Sequence, residues 1–332
     1  MLDYTQFHLV FGPLSPFPLD KSWAQSVESH RRNLDGALFL DRVLGALNLS
    51  QGKLAHIMMC TRKQHVDTRI RLAAKNYPPK NETALRQLHQ QVCEASNVAM
   101  HHKLSILYYL LLDIDAHPKG RAQTPDRAED FAMKAAVPQK YSIFMKGLWL
   151  MDSAEFDLAL EYLTHPSLVP DFADDIIVAL ARHSTRDGDY SLPLAYYHTV
   201  QPVLKTSLAQ ELLFDALARS SVPEALAFAR ARPEFTRQQL FRRLVLTVLG
   251  PQGQHDEEAA SRAFELASLP LDVDEERWFT ETLTGPDGKR LKGAKDTLLM
   301  RRITRGDVPS AGEKGDWAVV LEGFRAGSGG RA

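Results

Sequence analysis

Cysteine is nearly absent from this sequence, with Cys60 and Cys93 the two in 332 residues. That scarcity excludes a disulfide framework and fits a reducing compartment. Long apolar runs are also missing. The longest, Leu104 to Leu112 with Ser105 inside it, falls far short of the ~20 residues that span a bilayer, so no membrane insertion is expected. The opening MLDYTQFHLVFG lacks a basic stretch ahead of an apolar core and does not read as a secretory signal. There is no excess of charge of one sign. Forty Lys and Arg face 41 Asp and Glu for a net charge of -1, which argues against overall attraction to nucleic acid or anionic lipid, so direct DNA binding is not expected. Catalytic signatures are missing as a group: no G-x-S-x-G, no Walker loop, no G-x-G-x-x-G after a strand, no H-E-x-x-H. Acid pairs such as Asp174/Asp175 and Glu257/Glu258 are adjacent on predicted helices and point in different directions. The expectation is therefore a non-enzyme with no cofactor and no small-molecule substrate.

What the sequence does contain is helical periodicity. At 37.2 kDa, with 44% hydrophobic and 24% charged residues, the chain can bury roughly 75% of its extended surface. Apolar residues recur at i, i+3, i+4 and i+7 along Leu40/Val43/Leu44/Leu47, Tyr141/Phe144/Met145/Leu148, Phe156/Ala159/Leu160/Leu163, Ala173/Ile176/Ile177/Leu180 and Ala209/Leu212/Leu213/Ala216. Four N-cap patterns, Asp152/Glu155, Ser207/Gln210, Thr236/Gln239 and Asp272/Glu275, place a capping side chain three residues before Glu or Gln. Prolines 166, 170, 202, 233, 251 and 270 divide the second half into units of helix length. The segments LALEYLTHP, LAYYHTVQP and LAFARARP each end on such a proline, at the spacing of a helix pair. The fold expected is all-α, an α-solenoid of stacked antiparallel helix pairs over residues 20–305. An N-terminal arm, 1–19, precedes it. A flexible tail, 306–332, follows, where Trp317 to Phe324 would form one short amphipathic helix. Loops are expected at 11–19, 76–80 and 117–126.

From Pro138 the string PQKYSIFMKGLWLMDSAEFDLALEYLTHPSLVPDF closely resembles the helical domain of ELYS-type nuclear pore assembly proteins. LPLAYYHTVQP, LFDALARSSVPEALAFAR and AKDTLLMRRI resemble later motifs of that domain in the same order, and the likeness covers about 20–303. It implies a structural nucleoporin that binds the Y-shaped outer-ring subcomplex at the nuclear envelope. Larger animal members carry a β-propeller and AT-hooks with an Arg-Gly-Arg-Pro core. The strings Gly288-Lys289-Arg290 and Gly330-Arg331 lack that core, so chromatin anchoring is not carried over and the short fungal-type members are the better likeness.

Three groups of residues compete for a functional role. Lys289, Arg290, Lys292, Lys295, Arg301, Arg302 and Arg305 face the single acid Asp296, a local field suited to an acidic partner or, in the plainer reading, a solvated helix face. His56/Cys60 and His89/Cys93 each sit at i and i+4, which permits a zinc-containing helical protein but equally describes two core stripes. The preferred candidates for partner binding are Lys146, Trp149 and Asp152 on one helix, Tyr196, Tyr197 and His198 on another, and Arg301 and Arg302 in the basic stretch. A generic helical-repeat adaptor outside the pore is the main rival reading.

Overall fold

A computed structural model describes residues 2–47, 77–117, 126–250, 256–306 and 322–323, and among them all regular structure is helical. The chain divides into two compact units. One comprises 1–173 with 195–202, the other 174–194 with 203–332.

In the first unit, α1 (Phe7–Phe11), α2 (Lys21–Asn33) and α3 (Phe39–Ala46) precede α4 (Glu82–Glu94), α5 (Met100–Ala116), α6 (Arg127–Lys134), α7 (Gln139–Asp152) and α8 (Phe156–Leu163). The apolar run that is too short for a membrane lies in α5, and every residue from Lys103 to Ile114 is buried. A helix that is apolar all round has no solvent face, so it must be enclosed. Helices α4, α6 and α7 pack on it, and α7 also packs on α2, α3 and α8. The segment ahead of residue 20 lies against this unit, with Phe7, Val10, Phe11, Leu14 and Leu19 buried and the Leu2 amide bonded to the Lys134 carbonyl.

The expected repeat is visible as a long helix followed by a short one. It occurs as packed pairs in α7 with α8 and in α11 (Ser207–Ser220) with α12 (Val222–Arg230), and along the chain in α9 (Ala173–Asp187) followed by α10 (Ser191–Val200). The proline-terminated segments are the short members. In the second unit α13 (Glu234–Leu249), α14 (Asp256–Ser268), α15 (Val273–Thr284) and α16 (Ala294–Thr304) follow. There α11 packs on α12 and α13, α13 on α14 and α15, and α14 on α16. The all-α fold of packed, sequence-adjacent helices is thus the one expected.

Three of the four capping assignments need correction. Asp272 and Glu275 do form the reciprocal box at α15. At α11 the cap is Thr206, whose side chain accepts from Ala209, one residue earlier than expected. Helix α13 starts at Glu234 with Pro233 as its N-cap, so Thr236 lies inside its first turn instead of capping it. Asp152 ends α7 instead of capping α8, and its carboxylate is used elsewhere.

A close helix contact is made at Gly147. A Cβ there would come within 2.7 Å of Leu163 Cγ and Cδ2 and 3.2 Å of Tyr162 Cβ, so the missing side chain is what lets α7 and α8 meet. Gly to a strong helix former on an open face usually gains stability. Here Gly147→Leu should instead lose about 1–3 kcal/mol through overpacking, read as a lower denaturant midpoint at unchanged slope. A neutral or stabilised variant would mean that the pair has room to spare.

Candidate functional site

Polar residues of the first unit converge at one end of α5 and α7. Asp20 caps α2 by accepting the Trp23 amide at 2.9 Å, which sets Trp23 on the inward face. At the other end of α2, Arg31 forks onto Asp41 through Nε at 2.8 Å and Nη2 at 3.1 Å, and Nη2 also donates to the Tyr77 carbonyl at 2.8 Å. Asp41 in turn accepts the Leu38 amide at 2.9 Å, closing the first turn of α3.

Asp152 holds that turn from outside. Its carboxyl accepts the Phe39 amide at 2.6 Å, the Leu40 amide at 3.0 Å and the Tyr109 hydroxyl at 2.8 Å. It therefore serves as a remote anion on the N-terminus of α3, where unpaired N–H groups and the dipole both favour it. His30 Nδ1 lies 2.9 Å from the Asp152 carbonyl. One helical turn from Tyr109 on α5, Asp113 accepts the Tyr77 hydroxyl at 2.7 Å and Trp149 Nε1 at 2.9 Å.

These groups line a cleft of ≈ 270 Å³. Its floor is buried (Leu38, Tyr77, Tyr109, Asp113, Asp152), while Ser26, Ala116, His117 and Glu155 are exposed at its rim. Trp23 meets Tyr77 edge-on at 6.0 Å between ring centroids, and Tyr77 meets Tyr109 at 6.1 Å.

Burial pushes both carboxyls up to about 7, against the hydrogen bonds that pull them down, and the Asp152 charge adds to the rise at Asp113. Burial likewise raises both phenols well above 10. The folded chain therefore holds these two protons more tightly than an unfolded one would. Their contribution to stability is full below the ordinary value of 3.8 and is lost as pH rises through about 7. Asp113→Asn, which copies the protonated form, should gain about 1 kcal/mol on the wild type between pH 6 and 8 in chemical denaturation. Parallel pH profiles for the two proteins would contradict this. In the second unit the sign is opposite for Glu275. Its burial would raise it, but Arg230 and Arg237 hold it below its usual range, so that contribution fades as pH falls.

The zinc alternative divides. His56 and Cys60 lie outside the described residues. His89 Nε2 sits 2.9 Å from the Tyr4 carbonyl, which accepts its proton, and Cys93 Sγ lies 3.7 Å from the same oxygen. Burial holds His89 below its usual value and pushes the Cys93 thiol up to about 11, leaving a protonated thiol that is a poor metal ligand.

The eight partner-binding candidates fall into two sets. Lys146, half-buried, lies 5.5 Å over the Tyr162 ring and 3.8 Å from Glu129 Oε1. Trp149 is partly exposed with its nitrogen turned inward to Asp113; Tyr197 is half-buried, its ring tilted against that of exposed His198 at 5.4 Å between centroids. Arg302 is exposed. The remaining three are interior. Asp152 anchors α3, Tyr196 is 1% exposed, and Arg301 is 7% exposed and committed to Glu276 and to the Ala267 and Leu269 carbonyls at 2.8 and 2.5 Å. The structure brings Lys146, Trp149 and Asp152 together on α7. Sequence reasoning missed Asp113, Tyr77, Trp23 and the cleft itself. One signal was available: an acid inside the run LLLDID of an otherwise apolar helix has to find partners.

Packed helix pairs cross-braced by buried polar residues define an all-α scaffold protein. The family model for ELYS, nuclear pore complex assembly, matches residues 37–286, more than half of the chain, and this protein belongs to that family. Its likeness to protein ely5 of Schizosaccharomyces pombe is 27% identity over 145 residues, 44% of this chain and 43% of that protein, so the match spans less than half of the relative. The family is described by assembly of the nuclear pore and not by a reaction.

Proposed function

We propose that this chain is a structural nucleoporin that binds the Y-shaped outer-ring subcomplex of the nuclear pore at the nuclear envelope. The observation that carries the reading is that the nuclear pore assembly family matches the helical region itself, 37–286. Helix pairs support it physically, because their exposed faces offer many side chains over a wide area. Lys146, Trp149, Tyr197, His198 and Arg302 are the proposed contacts, since their side chains reach solvent. Asp152, Tyr196 and Arg301 contribute by holding the helices that present them.

The test is co-purification of the tagged chain with individual outer-ring nucleoporins, paired with imaging. A nuclear rim signal and recovery of at least one outer-ring subunit are expected. Diffuse cytoplasmic signal with no recovery would favour an adaptor elsewhere in the cell. In a Tyr197→Ala/His198→Ala variant, affinity should fall about tenfold, the ~1.4 kcal/mol typical of a real contact pair.

A further inference from the structure

We propose that the cleft of the first unit receives an arginine side chain presented by a partner protein, its guanidinium lying between the aromatic walls over Asp113 and Asp152. The inference rests on the partner-binding reading and names the chemistry of one contact.

Asp41 has Arg31 beside it, whereas Asp113 and Asp152 have no Lys or Arg within ion-pair distance among the described residues. All their hydrogen bonds come from neutral donors: a phenol and an indole at Asp113, a phenol and two amides at Asp152. A carboxylate offers about four lone-pair sites, so Asp113 retains roughly two and Asp152 one. Two buried carboxyls without a counter-charge are costly in the ionised form. A cation in the cleft removes that cost.

The walls select which cation. Trp23, Tyr77, Tyr109 and Trp149 are aromatic, and a planar, weakly hydrated guanidinium stacks on such faces while forking onto a carboxylate, which a compact ammonium does less well. A metal ion is poorly served, since no group of three or more His, Cys, Asp or Glu with metal-binding geometry occurs among the described residues. Size selects the source. At ≈ 270 Å³ the cleft is below the ~300–1,000 Å³ of pockets that enclose a drug-sized molecule, and it suits one long side chain whose backbone stays outside. Exposed Glu155 at the rim adds negative charge at the entrance.

The groups facing the two acids are the Tyr77 and Tyr109 hydroxyls, the Trp149 indole, Asp41 with its Arg31, and His30, His117 and Glu155 along the lining. Because both acids hold protons near neutrality, a guanidinium must displace them, and binding should tighten as pH rises from 6 to 8.

The experiment uses the whole chain, titrated with N-acetyl-arginine amide and, as a neutral isostere, N-acetyl-citrulline amide. Chemical-shift changes at the Trp23 and Trp149 indoles report occupancy. Saturable shifts with the arginine probe, about tenfold weaker with citrulline and stronger at pH 8 than at pH 6, are expected. Equal responses to the two probes, or no response to either, would overturn the proposal without any variant having to fold. Asp113→Asn keeps an acceptor for Trp149, and a circular dichroism melt checks its fold. It should weaken the arginine probe at least tenfold and reduce recovery of outer-ring nucleoporins. If wild type and Asp113→Asn recover those subunits equally, the partner's arginine is refuted while the nucleoporin reading stands. If the wild type recovers none, that reading fails, and the probe titration still judges the cleft.

Discussion

Replacing Asp152 with alanine should cost the first unit about 3 kcal/mol at pH 6, a large share of the ~5–15 kcal/mol that holds a typical domain. The substitution strands three buried donors at once: the Phe39 and Leu40 amides and the Tyr109 hydroxyl. Each orphan costs about 1–3 kcal/mol, and water entering from the adjacent cleft limits the sum to the lower end. An opposing effect has to be weighed. Removing an acid with no cation beside it also removes the cost of holding its proton while the unfolded chain releases one, a relief that is already substantial at pH 6 and still incomplete there. It accumulates at about 1.4 kcal/mol per pH unit between the ordinary 3.8 and about 7 and then levels off, so the deficit of the variant should shrink by about 1 kcal/mol from pH 6 to pH 8. Asn, retaining one acceptor, should fall between wild type and alanine. Guanidinium denaturation at the two pH values measures all of this. Alanine melting with the wild type at pH 6 would show that α3 does not depend on its remote acceptor.

The same residue shows what a sequence can and cannot disclose. Helix identity was legible because core burial imposes the 3.6-residue period directly on residue type, and the prolines after α8, α10 and α12 mark the ends of helices that no neighbour can extend. The long-short alternation followed from those stops. Capping was legible at Asp272 and Glu275, where the local box forms, and misplaced at Ser207 and Thr236, where Thr206 and Pro233 take the cap instead. It failed at Asp152, where the same local pattern is overruled by donors 112 and 113 residues away. The cleft was unreadable for the same reason. Trp23, Tyr77, Asp113 and Trp149 come from four separated segments, and nothing in the spacing of any one of them refers to the others. The basic stretch 289–305 reads as one surface field in sequence, yet its cations have different fates because a helix turns 100° per residue. Arg301 and Arg302 are neighbours in the chain and differ in burial.

That contrast leads to the second large effect. Arg301→Glu should destabilise the second unit by about 3–5 kcal/mol and release α16, whereas Arg302→Glu should change stability by less than about 1 kcal/mol. Arg301 forks onto Glu276 of α15, with Nε 3.1 Å from Oε1, and sends Nη1 to the Ala267 and Leu269 carbonyls at the end of α14, so one guanidinium ties three helices. Reversing its sign strands the Leu269 carbonyl, leaves the Ala267 carbonyl with the Thr304 hydroxyl at 3.2 Å as its remaining donor, and sets a carboxylate against Glu276. Arg301→Lys keeps the charge but loses the fork, and an intermediate loss of about 1–2 kcal/mol is expected. Hydrogen exchange across residues 294–304 distinguishes local release from global unfolding, and unchanged protection in Arg301→Glu would refute the tie. The consequence reaches the nucleoporin reading. Lost partner binding in an Arg301 variant would report a detached helix, so the contribution of this basic surface has to be measured through Arg302→Glu, in which the three-helix junction stays closed.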